Sequence, residues 1–144
     1  TELRARYEIL LQSYCQVVSI EAKTMIAMAW EEVFPAVSAF SGKLASDAAA
    51  KQAFLGGASC AYETDTVSLL TELLDSAHNI VSDLSAALET AHAKQTIEER
   101  SRYLLEAVLP LTRELRGAID AMERLTDRSF WPYPSYGELL FNED

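Results

Sequence analysis

A chain of 144 residues can enclose one core, burying roughly two thirds of the surface its unfolded form exposes. Apolar side chains make up 49% of it, much of that alanine, with only five Gly and four Pro, a balance that favours helix over sheet. Twenty-two acidic against twelve basic residues leave a formal charge of −10, which repels phosphate backbones and anionic headgroups and so argues against nucleic acid and membrane partners.

Over residues 7–28 apolar side chains recur at Tyr7, Leu10, Leu11, Tyr14, Val17, Val18, Thr24, Met25 and Met28, the three-and-four spacing of one helical face. Ile9, Cys15, Ile20, Ile26 and Trp30 widen the stripe, which predicts a central helix with neighbours on more than one side. Pro35 is expected to kink or break it, with residues 36–44 as a further short helical piece. Gly42 and the Gly56-Gly57 pair read as punctuation, and Ser46 as the N-cap of a short helix through Phe54. From Ala58 onward Ala61, Val67, Leu70, Leu73, Leu74, Ala77, Ile80, Val81, Leu84, Ala87, Leu88 and Ala91 form a heptad-like seam, a second long helix. Thr96-x-x-Glu99 is a capping box for the third. Its face is Ile97, Leu104, Val108, Leu111, Leu115, Ile119, Met122 and Leu125; it ends near Asp127, and Pro110 is expected to bend it. Three helices of about 45 to 50 Å each predict an all-α antiparallel bundle. The pattern shows no internal repeat and no low-complexity linker.

Cys15 and Cys60 sit in helical stretches and read as buried thiols, an oxidised pair being the alternative; without the dense cysteine framework of a secreted scaffold or a zinc spacing, a reducing cytoplasm is the expected setting. No positively charged apolar leader opens the chain, and the apolar run near residues 25–30 is too short to cross a bilayer. A start at Thr1 rather than Met suggests a piece of a longer polypeptide. Glu21 interrupts the apolar seam of the first helix; a buried carboxylate there needs a donor from another helix, Arg, Tyr or Trp, or partial exposure, and Lys23 is badly placed to serve. Glu89-x-x-His92 and Asp75-x-x-His78 have the spacing of di-metal bundle ligands, but they lie about 21 Å apart on one helix and no other His exists, so surface roles fit better. Arg113, Arg116, Arg124 and Arg128 alternate with acids and read as a solvated face with local pairs such as Asp120 with Arg124, the alternative being contact with a larger body. Nucleophile elbows and phosphate loops are missing.

Residues 131–141, Trp-Pro-Tyr-Pro-Ser-Tyr-Gly-Glu-Leu-Leu-Phe, differ from everything before them. Pro132 and Pro134 fix φ and remove two donors, so Trp131 and Tyr133 must be extended or turn-like. Five aromatics between Phe130 and Phe141 would make a sticky surface if left in water, so this segment is expected to dock, on its own helices or outward.

That closing run resembles the carboxy-terminal end of type III glutamine synthetases. Arg6-Tyr7-Glu8-Ile9, Ile20-Glu21-Ala22, Thr24-Met25 and Pro35-Ala36-Val37 resemble the opening of the helical domain that follows their catalytic region, and Glu114-Leu115-Arg116 also looks like that family. The resemblance implies a parent enzyme that ligates ammonia to glutamate with ATP and Mg²⁺ or Mn²⁺, through a γ-glutamyl phosphate, in large homo-oligomers. It implies that the reacting groups belong to the preceding region, so no catalytic, cofactor-binding or metal-ligating residue is assigned here and the chain is expected to be inactive alone. The expectation is a single helical domain over 1–144, helices to 127 and a docking tail over 128–144, serving assembly or stability. Its expected partners are the preceding catalytic region and neighbouring subunits. A free-standing module that binds a partner helix or peptide is the alternative.

Overall fold

The computed structural model describes residues 1–134, which are helical with no strand among them. Helix α1 (Glu2–Met28), a π turn (Ala29–Val33) and α2 (Phe34–Leu55) follow one another without a break, 27, 5 and 22 residues long. Together they make one rod of about 80 Å at 1.5 Å per residue. Helix α3 (Ala61–His92) is 32 residues, about 48 Å. The last rod is α4 (Ile97–Tyr103), a second π turn (Leu104–Val108) and α5 (Leu109–Leu125).

The break expected at Pro35 does not occur, and neither does a separate short helix after Ser46. Phe34 N–H reaches five residues back to the Ala29 carbonyl, and Leu109 N–H does the same to Leu104. The widened turn moves carbonyls out of the path of the ring that follows, and each proline then falls in the first turn of a new α segment, where proline is best tolerated. The two passages match at one constant offset: Glu31, Val33 and Pro35 against Glu106, Val108 and Pro110. Their buried positions match as well, Ala29, Val33, Val37, Phe40 and Leu44 against Leu104, Val108, Thr112, Leu115 and Ile119. A local internal repeat therefore exists where the sequence pattern shows none, because the shared feature is backbone and burial more than residue identity.

The rods close over the faces the periodicity predicts for α3 and α5. Leu70, Ala77, Val81 and Leu84 are sealed against Leu104, Val108, Leu115 and Met122, each leucine contributing about 1.5 to 3 kcal/mol by leaving water. Gly56 ends α2 in the left-handed region at φ 68°, a conformation suited to glycine. Around this corner Cys60 Sγ donates to the Ala48 carbonyl at 3.8 Å and Lys51 Nζ to Glu63 Oε1 at 2.7 Å, while Trp30, far back in the first rod, meets His78, well along α3, edge-on at 5.4 Å. Cys15 is buried and Cys60 half-buried, both as free thiols. Thr96 Oγ1 accepts from Glu99 N–H at 3.1 Å, as the capping box requires.

Two predictions follow from local physics. Gly42 lies inside α2, exposed, with open space where a Cβ would go, and Gly117 is alike in α5. Ala at each should raise unfolding free energy by about 0.5 to 1 kcal/mol in urea titrations, whereas Gly56→Ala, at positive φ, should lower it. The Lys51 ammonium, by its hydrogen bond and then its charge, holds the Glu63 carboxyl below its ordinary range, and Glu63 in return raises Lys51. A lowered carboxyl stabilises fully above its unfolded value of 4.5 and loses that as pH falls through the folded value; a raised lysine loses its share only as pH climbs beyond 10.5. The stability difference between this chain and Lys51→Met should therefore be flat at neutral pH and shrink once acid protonates Glu63.

Candidate functional site

A rod of about 80 Å set against one of about 48 Å must overhang. Since α2 is matched to the start of α3, the excess falls at the amino end: residues 1–7 are all exposed, and the first buried side chain is Cys15. Thr1 caps this end, its Oγ1 accepting from Arg4 N–H at 3.3 Å, and exposed pairs Arg6 with Glu2 and Arg4 with Glu8 brace it. Between the charges Leu3, Tyr7 and Leu10 recur at helical spacing, 81%, 53% and 69% exposed, beside a shallow apolar depression that they line with Arg6. Val17 and Ile20 are exposed further along α1. Several residues of the predicted apolar seam thus face solvent; periodicity identified the stripe but not how much of it finds a cover.

Glu21 is half-buried, and Arg116 on α5 donates to it across the fold through Nη2. This is the inter-helix donor the seam demands, and it gives one of the four C-terminal arginines a partner across the fold while leaving it exposed. Asp120 and Arg124 form no ion pair among the described residues. His78 stacks edge-on with Trp30, and His92 lines a recess with Glu89, Lys23 and Arg100. Among the described residues no three His, Cys, Asp or Glu gather where they could hold a metal ion.

The described part of the tail turns back onto the helices. Asp127 Oδ1 accepts from the Ser129 amide at 2.8 Å and its hydroxyl at 2.6 Å, the hydroxyl first among the causes that lower the Asp127 carboxyl. Phe130 then packs on Phe40, centroids 5.4 Å apart, and Trp131 and Tyr133 lie against the core, 6.4 Å from each other. Burial, then the nearby Glu32 and Glu31 carboxylates, raises the Tyr133 phenol above its ordinary value. Glu32 presses on that titration without a hydrogen bond of proper geometry: the Tyr133 hydroxyl and Trp131 Nε1 are buried with no partner among the described residues. Residues 135–141, the rest of the closing run with Tyr136 and Phe141, lie outside the described residues.

Residues 1–52 match the family described as the glutamine synthetase C-terminal domain. The chain is 30% identical over 141 residues, 98% of its length, to a glutamine synthetase of Butyrivibrio fibrisolvens, and 27% identical over 147 residues to one of Bacteroides fragilis (strain YCH46). It is 28% identical over 146 residues, 97% of its length, to the type-3 glutamine synthetase of Dictyostelium discoideum. It spans 20% of the length of each. The resemblance read from its two ends therefore extends along the whole chain, which is similar throughout to a part of glutamine synthetases, a type-3 enzyme among them, and over residues 1–52 to their C-terminal domain.

Arg116 and Glu21 keep side-chain exposures of 55% and 39%, so water screens the pair. A double-mutant cycle with Glu21→Gln and Arg116→Gln should return a coupling of about 0 to 1 kcal/mol; a larger value would mean the contact organises the fold.

Proposed function

We propose that this carboxy-terminal domain acts without chemistry of its own, supporting the assembly or stability of a type III glutamine synthetase through the exposed face of its amino-terminal overhang. The parent joins ammonia to glutamate with ATP and Mg²⁺ or Mn²⁺, in the cytoplasm, as a homo-oligomer. In this reading no step of that reaction is routed through these residues, and its reacting groups belong to the preceding region. No described helix is long and apolar enough to cross a membrane. We read the three rods as an antiparallel bundle within one domain over 1–144, with 128–144 as its docking tail.

The observation that carries this reading is the stripe of Leu3, Tyr7 and Leu10, left uncovered at the end of α1 farthest from the α2–α3 corner. An apolar helical face of this kind is costly in water and is covered by a complementary groove. Relatives that extend about five times the length of this chain contain ample surface to cover it. The favoured cover is the catalytic region of the same polypeptide, or that of a neighbouring subunit.

In the parent enzyme, Leu3→Ser, Tyr7→Ser and Leu10→Ser combined should break or loosen the oligomer in sedimentation runs and reduce glutamine formation, while the domain's melting is unchanged because the three are exposed. The 144-residue chain alone should neither form glutamine nor bind ATP. Normal oligomers with full turnover in the triple variant would refute the role.

A further inference from the structure

Beyond the overhang, the corner where α3 turns into α4 forms a recess against α1 that the assembly role does not use. Two adjoining hollows of about 380 and 410 Å³ share Ser19 and Lys23 of α1, His92 at the end of α3, and Arg100 of α4. Three nitrogen-bearing side chains from three helices thus meet in a molecule with nearly twice as many acids as bases. The one carboxylate lining the recess is that of Glu89, and neither it nor Lys23, His92 or Arg100 forms an ion pair among the described residues. Arg100 is held by one bond, from Nη2 to the Lys94 carbonyl at 3.2 Å, which fixes the guanidinium against the turn. Its Nε is buried with no partner among the described residues. A dry guanidinium N–H without an acceptor is unfavourable, and an oxyanion, which takes the guanidinium fork in two parallel bonds, is the acceptor it lacks.

We propose that this recess binds the carboxylate or phosphate group of a small anionic molecule, with Arg100 and Lys23 supplying charge and Ser19 and His92 supplying further hydrogen-bond donors. Arg100 gives direction, because its planar fork is already anchored; Lys23, exposed, gives attraction. Leu88, Ala91 and Ile97 give the hollows apolar walls that suit the carbon part of such a ligand. The site is independent of the overhang, so failure of one leaves the other standing.

The test is titration of the 144-residue chain at low ionic strength with sodium malonate and, separately, inorganic phosphate. Amide chemical shifts are followed by NMR, with sodium chloride at matched ionic strength as the control. At least one probe should saturate, with shifts confined to residues near 19–23 and 88–100; which probe saturates identifies the group. Lys23→Gln and Arg100→Gln should each weaken binding roughly tenfold, the loss expected for one charge-assisted bond. Arg113→Gln, on the exposed face of α5, should bind as the parent chain does. Lys23 is exposed, so its variant keeps the fold and decides the question even if Arg100→Gln melts early. Shifts that never saturate, that chloride reproduces, or that persist unchanged in Lys23→Gln overturn the proposal.

Discussion

The first rod passes Pro35 without stopping, and the rest of the molecule depends on that. Had the helix ended there, α1 and α3 would be of similar length and no large overhang would exist. The π turn at Ala29–Val33 resolves the conflict between a ring and the carbonyls behind it, while Ala29 and Val33, fully buried, hold the widened turn against the core. The same solution at Leu104–Val108 carries the last rod past Pro110. Because both are continuous, the long rod finds partners only over part of its length, and its first turns are left as a bare amphipathic helix.

Continuity also explains how polar contacts are distributed. Lys51 and Glu63 clasp the corner where α2 hands over to α3, and Arg116 meets Glu21 where α5 crosses α1. Neither pair is deep enough to drive folding; apolar burial does that, through Leu70, Leu84, Leu104, Leu115 and Met122. The pairs add partly exposed contacts between rods that the apolar seams already hold together. At the far end, Phe130 on Phe40 and the aromatic pair Trp131 and Tyr133 fasten the start of the tail onto the same core.

Much of this was legible in the sequence, and the misses share one cause. The seams of α3 and α5 follow directly from spacing: Val81, Leu84, Leu115 and Met122 are buried where a 3.6-residue period places them. The need of Glu21 for a donor from another helix was readable from its place on the stripe, though not that Arg116 would be that donor, since pairing across the fold depends on how the rods align. Pro35, Gly42 and Ser46 misled because each is a breaker or a cap by local preference, and tertiary packing with a π turn overrode all three. Thr112, 2% exposed with its hydroxyl on the Val108 carbonyl, was missed since a threonine reads as surface unless its back-bond is seen. The recess around Arg100 gathers residues from three helices, and no linear spacing announces it. Family kinship was visible at the two ends because prolines and aromatics are distinctive where leucine and alanine spacing is not.

The central claim is that the uncovered face of α1 is covered in the whole enzyme. Amide hydrogen exchange of residues 2–12, compared between the 144-residue chain and the full-length parent, tests it most directly, because helical turns without tertiary contacts open readily while docked ones do not. The account predicts fast exchange there in the chain and marked protection in the parent, with α3 exchanging alike in both. Equally fast exchange of residues 2–12 in both would contradict it.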